Sequence, residues 1–254
     1  MKKRMYLYGL RIIFLLVAAL VWDLLARNYG SLLMPTCLQI LQALGKLSVT
    51  PGMWSALWIS NQAMLLGFIL ASVSGIGIGF LMGRSKVAEK MFDPYLSILL
   101  VTPMSALIPI VIMATGLGLV SRIIVVFSFA FATIVINTRH GVRMVQSNWI
   151  EMSQGFGATE RQIWFKILLR GASPAILTGL RLGLIRSVSG MITVELLLVT
   201  IGLGHLILGF QSNFDAAGLY ATVLIIVVEA VVLGQLCQRL EHNATSWANQ
   251  AVTE

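Results

Sequence analysis

Apolar residues run through the chain in long blocks, broken by short polar stretches, with no sustained two-residue alternation. The blocks fall near residues 10–26, 60–82, 94–114, 119–138, 175–199 and 217–238. A helix needs roughly 20 apolar residues to cross the hydrocarbon core of a bilayer. The pattern therefore predicts an all-α, polytopic membrane bundle of about six transmembrane helices. Pro103 and Pro109 interrupt the third block and predict a kinked or split span. Arg181 and Arg186 lie inside the fifth and blur where it starts.

One permease-sized domain is expected over 1–254. Its parts are a first transmembrane helix in 1–34, an external amphipathic segment in 35–50, and a five-helix core in 54–240. The external segment, MPTCLQILQALGKL, has a proline near its start and an amphipathic pattern, and predicts a short helix along the outer membrane surface. The start of the chain has the basic flank and apolar run of a signal peptide. No small-x-small cleavage site follows before Asp23 and Arg27, so this run is expected to remain as the first helix. In the second span Gly67, Ala71, Gly75, Gly79 and Gly83 recur every four residues. Such a ladder predicts a close helix–helix contact, because association in lipid depends on backbone approach and dispersion.

Composition agrees with this reading: 57% of the 254 residues are hydrophobic and only 11% are charged. The net charge of +8 could point to nucleic acid. The Lys and Arg residues, however, cluster at the ends of apolar blocks and form no aromatic-interleaved patch, so a nucleic-acid partner is not expected. Lys2, Lys3, Arg4 and Arg11, then Arg84, Lys86 and Lys90, then Arg139, Arg143, Arg161, Lys166 and Arg170, and finally Arg239 fall on one side of the threaded chain. Arg27, Lys46 and Arg122 fall on the other. That bias places both termini in the cytoplasm. Cys37 and Cys237 lie far apart and the three histidines are isolated, so neither a disulfide nor a metal site is expected.

The longest polar interruption covers 139–173. Asn148 is placed to cap a helix beginning near Trp149, with Glu151 at its third position. Gly155 and Gly157 end that helix, and a second one is predicted from about Thr159 to Leu169. The second helix sets Ile163, Trp164, Ile167 and Leu168 on an apolar face.

Glu151, followed by Gly157 and Ala158, an apolar-basic helix and Pro174, resembles the "EAA" loop of binding-protein-dependent ABC importer permeases. The stretches DPYLSILLVTPMSALIPIVIMATGLGLVSRI, INTRHGV, LTGLRLGL and GLGHLI are similar to the nitrate, sulfonate and taurine branch of that family. Met152 and Ser153 stand where that loop has two alanines, and Arg170 where it often has proline. The resemblance implies a type I importer permease fold in a bacterial inner membrane, with a cytoplasmic coupling helix. It also implies partners: a cytoplasmic ATPase dimer, a second permease copy, and a periplasmic or lipid-anchored binding protein. Trp149, Glu151, Phe156, Gly157 and Ala158 are the candidates for ATPase contact. The solute implied is small and anionic, of the sulfonate, taurine, nitrate or aromatic-carboxylate class.

The chain's one Gly-Lys pair, Gly45-Lys46, is followed by Leu47 and lacks the upstream glycine of a phosphate-cradling loop. No catalytic residue or bound cofactor is expected in this chain; ATP and Mg²⁺ are assigned to the partner subunits. Ionisable residues within spans are costly and mark function by default. Asp23 and Arg27 have the i, i+4 spacing of a local ion pair. Arg181, Arg186, Glu195 and Glu229 are candidates for the pathway or gate. Glu195 is about 13 Å beyond Arg186 on one helix and needs a partner elsewhere. For Glu229 a hydrogen bond to a neighbouring helix is the favoured reading. A proton-coupled carrier using Glu195 and Glu229 is the rival function.

Overall fold

The computed structural model describes residues 2–30, 32–198 and 201–250, and among them no strand occurs. Eleven α-helical segments follow one another: α1 Lys2–Tyr29, α2 Cys37–Ser48, α3 Pro51–Arg84, α4 Lys86–Val101, α5 Met104–Thr115, α6 Leu119–Met144, α7 Ser147–Gly155, α8 Glu160–Gln162, α9 Leu169–Leu198, α10 Gly202–Ser212 and α11 Ala216–Gln250. Four helical stretches are long and apolar enough to cross a membrane: Pro51–Arg84, Leu119–Met144, Glu160–Leu197 and Ala216–Ala244. The α4–α5 pair makes a fifth crossing if its two halves are taken together. The block at 10–26 lies in α1, whose apolar side chains from Ile12 to Val17 are exposed. The side chains of Lys2, Lys3, Arg4 and Arg11, used above for orientation, lie outside the described residues, as does Val199 at the end of the fifth block.

The third span is broken, not merely kinked. Its halves, α4 and α5, meet at 102°. Thr102 is extended, with ψ 126°, because the ring of Pro103 excludes the helical region for the residue before it. Pro103 then serves as the N-cap of α5 without offering an amide hydrogen.

Contacts divide the chain into two compact units. The first comprises residues 1–59 and 199–228. Within it Thr36 and Gln39 form a reciprocal capping box that starts α2 where the sequence pattern put a helix. Trp22 Nε1 donates to the carbonyl of Pro35 at 2.9 Å, and its ring meets Tyr220 edge-on at 5.5 Å. Asp23 does not pair with Arg27: its Oδ1 accepts the amide of Cys37 at 2.8 Å. That amide belongs to the open N-terminus of α2, where a carboxylate satisfies an orphan donor and meets the positive end of the helix dipole. A solvated arginine one turn away offers less.

The second unit comprises residues 60–198 and 229–254 and is organised around α6. The small residues of α3 lie against α6. A Cβ on Gly67 would stand 2.7 Å from Val126, one on Gly79 2.6 Å from the carbonyl oxygen of Val135, and one on Gly83 2.5 Å from Val142. Gly75 meets Ile134, and Ala71 is buried with Ala130 and Ile134. An adjoining side of α6 receives α9 in the same manner: Gly179 approaches Asn137, Gly183 approaches Ile134, and Gly190 approaches the ring of Phe129. Gly141 of α6 returns the contact against Ala172 and Ala175. Contacts this close leave no room for even a methyl group.

Gly79→Ala is therefore expected to cost about 1–3 kcal/mol by overpacking. Gly77→Ala, where nothing lies within 4 Å, should be neutral or slightly stabilising. Thermal unfolding of the purified variants in one detergent measures the difference.

Candidate coupling surface and intramembrane charges

Helix α6 runs past the apolar block that ends near 138 and continues to Met144. Val145 and Gln146 are both extended and reverse the chain, and α7 begins at once with Ser147. This corrects the predicted start: Asn148 is not the cap, since Gln146 occupies that position without a side-chain bond, and Glu151 lies two residues further into the helix than expected. A two-residue reversal leaves no slack for a later start.

The end of α7 explains the Gly157-Ala158 pair. Phe156 is the last capping residue, and Gly157 follows with φ 74°. The amide of Gly157 donates to Gln154 O at 2.9 Å and that of Ala158 to Ser153 O at 3.0 Å. This is the Schellman arrangement, which requires a left-handed residue after the cap and so favours glycine. Ala158 then turns inward, half-buried against a core built on Ile163, Leu168, Ala172 and Ile176. Ile150 and Val145 pack on the same core. One side of α7 is thereby fixed to the bundle.

The other side is open. Trp149 is 42%, Met152 57% and Phe156 85% exposed, with Glu151 also exposed. Trp149, Met152 and Phe156 border a cleft of about 340 Å³ that Lys166, Ile167 and Arg170 close from the next helix. That helix differs from the expectation of a separate rod between Thr159 and Leu169. Thr159 does cap it, accepting the Gln162 amide, but it continues into the span without a break. Residues Ile163–Leu168 form a π-helical stretch in which the amide of Leu169 bonds to Trp164 O, five residues back. The extra residue per turn accommodates Trp164 against Phe80 at 5.4 Å.

A charged network lies beside this surface. Arg139 of α6 bonds Asp93 of α4 at 2.5 Å and approaches Glu89 at 3.8 Å, while Arg143 pairs with Glu89 and Arg84 with Glu160. The Arg139–Asp93 pair joins two of the family-like stretches, DPYLS and INTRHGV, whose contact the sequence did not reveal.

Within the spans the four candidate charges have different fates. Glu195 is fully buried; it accepts Ser60 Oγ at 2.8 Å and faces Arg122 Nη1 at 3.6 Å. Arg122, counted above among external loop residues, is only 4% exposed, one turn into α6. Its position next to the loop glycines Gly116 and Gly118 concealed this from hydropathy. Glu229 Oε1 accepts Asn61 Nδ2 at 2.6 Å, a hydrogen bond from α3 to α11. Arg181 Nε faces Glu241 at 3.4 Å, and Thr178 Oγ1 donates to the same carboxylate. Arg186 is exposed. Ser60, Asn61, Arg122 and Glu241 were missed as partners; polar residues at span positions next to candidate charges were the available signal. Among the described residues no group of three or more His, Cys, Asp or Glu is placed to hold a metal.

Long apolar helices joined in part by a short capped helix define a multi-pass membrane protein of the all-α class. The particular family follows from comparison: residues 75–244 match the model for the inner membrane component of binding-protein-dependent transport systems, and the chain belongs to this family. It is 29% identical to the taurine transport system permease protein TauC of Escherichia coli, over 77% of this chain and 71% of that one. It is 30% identical to the nitrate import permease protein NrtB of Synechocystis, over 88% and 82% respectively. It is also 30% identical to a putative aliphatic sulfonates transport permease, SsuC, of Bacillus subtilis, over 85% and 78%. The fold matches a chain of the MetNI methionine ABC transporter in an inward-facing conformation, with TM-score 0.61, 21% identity and coverage of 76% of this chain and 94% of that one. The protein is thus an ABC importer permease of the nitrate, sulfonate and taurine class.

Removing one partner of the buried Arg122–Glu195 pair leaves the other charge uncompensated. Arg122→Met alone is expected to cost about 3–5 kcal/mol, and the double variant Arg122→Met/Glu195→Leu to regain most of it. Thermal unfolding in detergent reads both.

Proposed function

We propose that this chain forms the membrane path of an ATP-driven importer for a small anion of the sulfonate, taurine, nitrate or aromatic-carboxylate class. A binding protein at the outer face delivers the solute, and two copies of the chain enclose the path with their termini in the cytoplasm. A bundle of so few spans encloses little volume alone, and a two-fold axis between like copies doubles the lining. The chain itself binds no nucleotide; ATP and Mg²⁺ are held by the partner ATPases. The named relatives, a taurine permease and a nitrate permease among them, support the solute class.

The observation that carries the coupling role is the construction of α7. Its inner side is tied to the core through Ile150 and Ala158, and its outer side presents Trp149, Met152 and Phe156 with Glu151. Large apolar groups held on a fixed backbone supply contact area at little entropic cost when a partner binds. A two-residue turn joins α7 to α6, and the Schellman turn joins it to the helix that becomes α9. A push on α7 therefore reaches two spans without being absorbed by loose chain. The carboxylates of Glu195 and Glu229 are each engaged by fixed donors from α3, which argues against a proton-carrier role for them.

The test is reconstitution with the cognate ATPase and binding protein, followed by uptake of a labelled sulfonate or nitrate driven by ATP and, separately, by a pH gradient. Uptake with ATP alone supports the proposal, and uptake driven only by the pH gradient overturns it. Phe156→Asp should reduce ATPase co-purification and ATP-driven uptake at least about tenfold, since hot-spot aromatics are worth 2 kcal/mol or more. Its melting temperature should be unchanged, because the side chain touches no core.

A further inference from the structure

The four intramembrane candidates are not equivalent, and the difference singles out one. Arg181 faces Glu241, Glu195 faces Arg122 and Ser60, and Glu229 holds Asn61. Arg186 is exposed on α9, and among the described residues no carboxylate lies within ion-pair distance of it. Its depth follows from the register of α9 on α6. Gly183 lies against Ile134 and Gly190 against Phe129, so Arg186 stands between these levels. Helix α6 runs from Leu119 to Met144, which puts those levels at its middle. A hydrocarbon core of about 30 Å extends about 15 Å to either side of that point.

An arginine at that depth facing lipid would be costly, and intramembrane charges turn toward protein or water-filled space. The same side of α9 carries Ser189 and Thr193, three and seven residues on, so the polar positions form one stripe at helical spacing. Their hydroxyls donate to Ile185 O at 3.3 Å and Ser189 O at 2.7 Å. The stripe is therefore satisfied when nothing is bound, and each hydroxyl can rotate its proton outward. On the neighbouring side of α9, Ile185 lies 3.7 Å from where a Cβ on Gly234 of α11 would stand, whereas Arg186 and Ser189 are exposed.

Resting on the importer reading above, we propose that Arg186, with Ser189 and Thr193, is the anion-coordinating stripe of the translocation path. The guanidinium supplies the charge and a two-pronged donor for a sulfonate, carboxylate or nitrate; the hydroxyls extend the polar track toward the outer face. A two-fold partner would set a second guanidinium across the path. The occupant is the solute's oxyanion, in water.

The test uses native membranes containing the assembled transporter, with Cys37→Ser and Cys237→Ser removing native thiols. Ser189→Cys is reacted with a small sulfonate-bearing thiosulfonate and with its trimethylammonium counterpart. Val73→Cys serves as the lipid-facing control, since Val73 is 72% exposed on α3, two residues from Gly75, which also lies against Ile134. Ser189→Cys should react at least about tenfold faster than Val73→Cys and prefer the anionic reagent. Adding Arg186→Gln should lower that preference about tenfold while Arg186→Lys keeps most of it. Labelling no faster than at Val73→Cys, or a preference unchanged by Arg186→Gln, would overturn the proposal. Labelling needs no ATP hydrolysis, so failure of the importer reading, seen as absent ATP-driven uptake in the parent protein, is read separately.

Discussion

The second unit of this protein depends on how closely α6 can be approached. Inside a bilayer there is no expulsion of water to drive helices together, so contact area and backbone proximity must supply the attraction. Helix α6 brings bulky residues, Val126, Ile134 and Val142 among them, and its neighbours bring gaps. Gly67, Gly75, Gly79 and Gly83 of α3 lie on one side; Gly179, Gly183 and Gly190 of α9 lie on an adjoining one. Ile134 is touched from both, which fixes the register of all three helices at once.

That fixed register lets polar groups meet at depth. Ser60 on α3, Arg122 on α6 and Glu195 on α9 converge although they are far apart in sequence. In hydrocarbon an unmatched member of such a set is expensive, so the network penalises any slip of one helix along another. The glycine contacts supply proximity and the buried charges supply specificity of position. Near the other end of α6, Arg139 and Arg143 hold α4 through Asp93 and Glu89.

The same rigidity carries through to α7. Short connections and a capped turn leave few torsions free to absorb displacement, and the π-helical stretch after Thr159 stays continuous with α9. Family membership fits this construction, in which the proposed coupling surface is tied directly to the spans.

Sequence by itself determined the class and the outline. Runs of about 20 apolar residues can satisfy their backbone groups in lipid only as helices, so the all-α bundle and nearly every span were legible. The spacing of Glu151, Gly157 and Ala158 marked the segment proposed for coupling, and the four-residue ladder marked a packing face. Helix ends were less legible: α6 passes its apolar block to reach Met144, and α7 starts at Ser147, because a two-residue reversal of the backbone leaves no trace in hydropathy. Partner choice was decided only in three dimensions. Asp23 takes the amide of Cys37 over Arg27, Arg122 leaves its presumed loop to meet Glu195, and Arg181 and Arg186, five residues apart, end in opposite circumstances. The reason is geometric: at 100° per residue a helix assigns neighbouring charges to different faces, and only the packing of the other helices settles which face is covered.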